Sequence, residues 1–337
     1  MATPYPLVTR VMLRFKADLL AMETLQVAEM TRRWLEMENF LLEEFESLAA
    51  YIKKLRDAGE EIPRSKIVKL NRYRSFLAQI ADQLNQYTNY AEGFIAAEQR
   101  NWLVLAIEHA VQAIKAYYAT HGRVAGAFNI LPVSAIESMV GLAGNGSPLR
   151  NLLTASWPNA IEGLTESLIN AIALGKNPNE TALLMAKKFG VGLDRAINIA
   201  RTEQLRVYRT ANLAQYKESG VVRGYQRLSA RDTRVCPACL FADDGTIYSL
   251  DDPFDEHPQG RCTPVPVVIG LPVVTWQSGI SWFESQSAAS QRGMLGPGAY
   301  DAWQNGQFDL ADMVGRVENE VWGGALTTKS LSELTNE

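Results

Sequence analysis

At 337 residues the chain is long enough to bury one large core or two medium ones. Its hydrophobic content of 47%, charged content of 21% and net charge of -4 belong to an ordinary globular protein and exclude a uniformly basic nucleic-acid coat, though not a local basic face. No run approaches the roughly 20 uncharged apolar residues of a membrane span, charges inside the first 20 residues and the lack of a small-residue cleavage site there speak against a secretory signal, and three cysteines exclude an evenly paired disulfide framework, which favours reduced thiols in an intracellular setting.

The first third reads as helix. Leu20, Glu23, Val27, Met30, Trp34, Met37, Leu41, Phe45, Leu48, Ile52 and Leu55 follow at steps of three or four, with only Glu23 interrupting the apolar seam. Residues 57–63 (DAGEEIP) supply a stop, a turn and a proline start. A second seam runs through Ile67, Leu70, Tyr73, Leu77, Ile80, Leu84, Tyr87, Ala91 and Phe94. It continues through Leu103, Ile107, Val111, Ile114 and Tyr118 after a slip in phase. Two long helices with apolar stripes and a short connection predict an antiparallel hairpin.

A loop is expected at 141–148 (GLAGNGSP), then helices over 159–174 and 180–189 separated by a capped turn at Asn177-Pro178-Asn179. A further helix is expected over 192–218, ended by Gly220. The β-branched and aromatic residues of 221–228 and 263–269 predict two strands, and short helices mixed with Gly-Pro turns follow over 282–322.

Between the two strands lie all three cysteines and one of the three histidines. Cys236 and Cys239 form a C-x-x-C knuckle, and His257 and Cys262 stand at a spacing close to that of the second half of a zinc finger. Three thiolates and one imidazole favour tetrahedral Zn2+. Four protein ligands would close the shell, so the metal is expected to be structural, whereas a catalytic zinc keeps a position open for water. A redox pair at Cys236 and Cys239 fits less well, because a loop and not a long helix follows the knuckle. The neighbouring Asp243, Asp244, Asp251, Asp252, Asp255 and Glu256 read as turn formers on a solvated face more readily than as a magnesium site. His109 and His121 have no partner pattern for catalysis.

The stretches IARTEQLRVYRTANLAQYKESGVVRGYQRLSARDTRVCPAC, HPQGRC and WFESQSAASQRGMLGPGAYDAWQNGQFDLADMV, in that order, resemble the Mu F-like minor head proteins of tailed bacteriophages, the phage head morphogenesis family. The resemblance spans about 130–322. It falls on Arg201, Thr202, Glu203, Asp232, Arg234, Cys236, Cys239, His257, Pro258, Arg261 and Cys262. Family members often carry a further cysteine where this chain has Gly260.

The expected fold class is therefore α+β, predominantly α, with a long helical hairpin over 1–129 and a smaller α+β module over 130–322 that holds a zinc-knuckle-like loop. A flexible tail is expected over 323–337. The resemblance implies a non-enzymatic virion protein near the portal of the phage head, assembled in the bacterial cytoplasm, with portal protein and major capsid or scaffold protein as partners. The alternative is a metal-dependent nuclease acting on phage DNA during head maturation. Between Arg195 and Arg234, nine basic residues face three acidic ones. Arg206, Arg209, Arg223, Arg227 and Arg231 are accordingly candidate contacts to double-stranded DNA, read without sequence preference.

Overall fold

The structure, a computed structural model, describes residues 5–335 apart from 156, 159–160, 162–168, 170–177 and 233. Helix α1 (Leu7–Asp57) leads through a turn and the single-turn helix α2 (Arg64–Ile67) into α3 (Asn71–Thr120). Paired hydrogen bonds end α1, from Gly59 N to Arg56 O and from Glu60 N to Leu55 O. Contacts divide the chain into two compact units, one of 1–22, 97–146 and 201–337, the other of 23–96 and 147–200. The long helices contribute to both, so neither unit is a continuous piece of sequence.

Antiparallel pairing of α1 with α3 appears within each unit. In the first, Val8 N donates to Thr120 Oγ1 at 3.1 Å and Phe15 stacks on His109. In the second, Tyr87 Oη donates to Met30 O and Phe45 meets Phe76. The buried stripe differs from the expected seam in phase near its ends. Leu19 is buried in place of Leu20, Phe76 in place of Leu77, and Tyr117 in place of Tyr118. The expected slip in α3 does not occur, because the fully buried Gln99 continues the stripe. Its side chain accepts from Gly141 N at 2.8 Å, which satisfies a polar group inside an apolar face.

In the unit of 23–96 and 147–200 the core is aromatic. Trp34 meets Tyr87 edge-on at 4.7 Å between ring centroids and Trp157 at 5.9 Å, and Trp157 Nε1 donates to Thr88 Oγ1 at 2.8 Å. Helix α4 (Leu149–Thr154) is tied down by Arg150, which donates to Asn85 and Asn89. Helix α5 runs unbroken over Pro178–Glu218, so the glycines at 190 and 192 do not separate two helices as expected. The reason at 192 is steric. A Cβ there would lie 2.7 Å from Trp34 and 2.8 Å from Trp157, so the missing side chain makes room for two indoles. Pro178 opens the helix, where a proline loses no hydrogen bond. Asn177 and most of the helix expected over 159–174 lie outside the described residues.

The other unit holds a three-stranded antiparallel sheet ordered β2-β1-β3, from β1 (Val222–Leu228), β2 (Ile247–Tyr248) and β3 (Thr263–Val268). Tyr225 pairs with Pro266 on one side and Tyr248 on the other. Pro264 and Pro266 are tolerated because β3 is an edge strand with one side free of ladder bonds. The sheet buries Val222, Leu228, Val265 and Val268 with Val8, Met12, Ile114 and Tyr117. Between β1 and β3 sits the one-turn helix α6 (Pro237–Phe241), opened by the proline of the cysteine knuckle. Helices α7 (Gly279–Glu284), α8 (Ala288–Leu295) and α9 (Pro297–Gln304) follow.

After them come two strands that the sequence does not announce. β4 (Val314–Asn319) and β5 (Gly323–Thr328) form an antiparallel hairpin, and a short helix, α10 (Leu331–Thr335), follows. Residues 323–328 are thus an ordered strand rather than the start of a flexible tail. Ala325 and Leu326 are buried, which gives the segment a packed face that its polar flanks conceal. Among the described residues no helix is long and apolar enough to cross a membrane.

Candidate metal centre

Short local structure brings the cysteines together. Cys236 caps α6 and Cys239 lies on its single turn, while Cys262 stands immediately before β3 and His257 opens the turn that precedes it. That turn is closed by Gly260 N donating to His257 O at 2.9 Å, and Gln259 takes φ 62, the left-handed conformation a glycine would adopt more readily. Two outside groups hold the turn in this form. Gln259 N donates to Thr202 Oγ1 at 3.1 Å, and Arg209 Nη1 donates to Gly260 O at 2.8 Å.

Among the described residues, two groups of three metal-type side chains have ligand atoms within 4.8 Å of one another: Cys236, Cys239 and His257, and Cys239, Glu256 and Cys262. The four expected ligands therefore gather in one buried cluster that can hold a metal ion, with Cys239 common to both groups. The donor set suits zinc, which accepts thiolate, imidazole and carboxylate. The histidine is also set in a binding tautomer. Its Nδ1–H donates to Pro258 O at 2.8 Å, so a metal would take Nε2 in place of the proton this nitrogen shares with Cys236.

The charges around the cluster favour thiolates. Arg209 and Arg227 are both buried, and the Lys16 ammonium, which donates to Leu228 O at 3.0 Å, is pulled down to about 8 by burial. Glu256 and Asp243 are the carboxylates among these cations, and a hydrogen bond from Cys239, helped by Arg227 and Lys16, holds the Cys262 thiol down. Cys236 is lowered by hydrogen bonds rather than by these cations. A hydrogen bond from Cys239 and another from His257 hold its thiol down at about 3 against the cost of burial. Cys239 goes the other way: hydrogen bonding with Cys236 and Cys262, together with burial, pushes its thiol up, so it keeps its proton. Burial opposes a charge on His257, but Cys236 and Glu256 raise it to about 9.

Glu256 is the residue the sequence hid. Read as part of a solvated acidic face, it is instead buried, with Oε2 paired to Arg227 Nη1 at 2.9 Å and Oε1 accepting from Cys239 Sγ at 2.8 Å. Burial raises the cost of its charge, yet Arg227 and Arg209 hold its carboxyl down at about 2. Asp243 is a second correction. It is buried and accepts from Ser229 N, Ser229 Oγ, Arg231 and Trp276 Nε1, which fixes the strand end at β1. Asp244, Asp251 and Asp252 are exposed as expected, and Asp255 pairs with Arg316 at 2.6 Å. The only signal in the sequence for Glu256 is its place directly before His257.

The other singled-out residues form the frame of the loop. Asp232 and Arg261 make a two-pronged ion pair at 2.5 and 2.8 Å, joining the D-x-R stretch to the H-P-x-x-R-C turn. Arg234 N donates to Asp232 Oδ1, which shapes the approach to Cys236, and the Arg234 side chain is exposed. Glu203, fully buried, accepts from Gly144 N at 3.2 Å, Arg206 Nε at 2.7 Å and Trp322 Nε1 at 2.8 Å. It thereby anchors the C-terminal hairpin, whose Thr328 Oγ1 lies 3.3 Å from Cys236 Sγ. Arg201 lies on α5 beside Thr202 and is partly buried.

The candidate DNA contacts do not form one exposed face. Arg209 and Arg227 are buried, Arg231 is paired with the buried Asp243, and Arg206 is paired with Glu203. Arg223 on β1 is exposed. A linear count of charge cannot distinguish a basic surface from cations that balance buried acids, and here most of the cations do the latter.

Residues 162–264 match the family described as Phage Mu protein F like protein, so the chain carries a Mu F-like domain over that segment. The match is narrower than the span of 130–322 drawn from the resemblance. It includes Cys236, Cys239, His257 and Cys262 and stops before the hairpin that touches Cys236. No curated protein and no solved structure matches the chain.

Proposed function

We propose that the protein is a structural minor head component of a tailed bacteriophage, bound near the portal, whose Mu F-like domain is held in shape by one zinc ion. The observation that carries this reading is the coincidence of the matched segment with the cluster of Cys236, Cys239, His257 and Cys262. Four ligands close a tetrahedral shell, so the ion would brace α6 against the turn at 257–260 and leave no position for an attacking water. In small structural sites zinc supplies an apparent 10–16 kcal/mol, roughly the scale needed to order a loop-rich segment. Function is then adhesive: the ion fixes the loop, and the surrounding surfaces meet portal, major capsid or scaffold protein.

Two measurements test it. Elemental analysis of freshly purified full-length protein is expected to return one zinc per chain, and a metal-free, fully folded protein would refute the structural centre. Cross-linking in intact particles is expected to join this chain to the portal protein; links confined to the outer shell or tail would overturn the assigned location.

A further inference from the structure

The cluster offers five donors where a tetrahedral ion needs four. Glu256 Oε1 lies 2.8 Å from Cys239 Sγ and 3.5 Å from His257 Nε2, so this member of one group also reaches the histidine of the other. The Glu256 side chain is 2% exposed, whereas that of His257 is 30% exposed, so the carboxylate is on the sheltered side of the centre. Its other oxygen is held by Arg227, an arrangement that aims a carboxylate as an outer-shell partner aims a metal ligand. Gly260 adds a steric observation. A Cβ at that position would overlap the Glu256 side chain, which Arg227 keeps from moving aside. The turn thus gives up a side chain to let the carboxylate reach the sulfurs.

We propose that Glu256 is a reserve donor of this centre, a carboxylate able to take the fourth position beside Cys236, Cys239 and Cys262 when His257 is lost. The inference rests on the zinc reading above and extends it. Zinc bonds of about 2.0–2.3 Å place ligand atoms roughly 3.3–3.8 Å apart; the 3.5 Å between Glu256 Oε1 and His257 Nε2 is already in that range, and the 2.8 Å contact with Cys239 Sγ opens slightly once the thiol proton is replaced by an ion.

The test uses the full chain loaded with cobalt(II) in place of zinc, reading the visible band intensity of tetrahedral cobalt and the affinity by competition with a chelator. His257→Ala is expected to keep one cobalt per chain with a tetrahedral spectrum and an affinity lowered by about tenfold to a hundredfold, the scale of altered ligand surroundings. His257→Ala with Glu256→Gln is expected to lose the tetrahedral band. Because the amide also leaves Arg227 without its charge partner, His257→Ala with Glu256→Asp serves as the second variant. It keeps the ion pair but withdraws the oxygen by one methylene, and it too is expected to lose the band, while the helical circular dichroism of α1 and α3 is retained. If His257→Ala alone abolishes binding, or if the aspartate variant binds as tightly as His257→Ala, Glu256 is not a ligand. An unmodified protein that binds neither zinc nor cobalt would instead overturn the metal reading beneath it.

Discussion

The two compact units achieve order by different means. Around Trp34 the core is aromatic and aliphatic, with Tyr87, Trp157 and the bare backbone of Gly192 in contact, and its stability comes from apolar area removed from water. Around Cys239 the interior holds three thiols, an imidazole, Glu256, Arg209 and Arg227, groups that are costly to bury unless each is paired. Apolar packing tolerates pH and chelators. A buried network of charges and metal-type ligands does not, and its integrity depends on every partner being present.

That contrast can be broken most sharply at the cluster. Cys239→Ser, which removes the ligand common to both groups, is expected to abolish zinc binding and forfeit metal stabilisation on the order of 10 kcal/mol. Limited proteolysis should then cut between residues 230 and 262, where the unmodified protein resists. Trp34→Ala is expected to lower unfolding free energy by about 3–5 kcal/mol, measured by denaturant titration, without changing the metal content of the folded protein. A loss of zinc in that variant would show that the two means of stabilisation are not separable.

A smaller effect is expected from pH. Burial lowers His109 to about 4, with its ring stacked on Phe15 and Nδ1 near Tyr208 Oη. The unfolded chain, at the usual value near 6.5, takes up a proton that the folded protein refuses. Stability should therefore be full above pH 6.5 and fall by about 2–3 kcal/mol as pH drops towards 4. His109→Phe should flatten that part of the profile, and an unchanged slope would sink the assignment. Smallest is Gly192→Ala, expected to cost about 1–3 kcal/mol through overlap with the two indoles, while an alanine in an open helix position would stabilise.

Helical periodicity made the long hairpin legible, because α1 and α3 bury one stripe over many turns and local errors average out. It misplaced the stripe by one residue at Leu19, Phe76 and Tyr117, where two adjacent apolar residues compete and only the partner helix decides. The cysteine knuckle and the H-P-x-x-R-C turn were legible because ligand spacing is short-range. Glu256 and Asp243 were not, since an acidic residue in a loop looks the same whether it meets water or an arginine that is 29 or 12 positions distant. Strand β5 escaped for a related reason: a polar, glycine-rich segment becomes a strand only when β4 supplies its hydrogen bonds.

By itself the sequence determined the predominantly helical class, the strands that flank the cysteine loop, and a donor set suited to zinc, because these follow from periodicity, propensity and ligand chemistry along a contiguous stretch. The tertiary structure alone decided which charges are interior. Arg209 and Arg227 come to face Glu256 and the thiols through the folding of α5 and β1 about the loop, and their burial turns an apparent basic strip into the electrostatic support of a candidate metal centre. Burial and pairing are properties of distant residues meeting, and no local pattern encodes them.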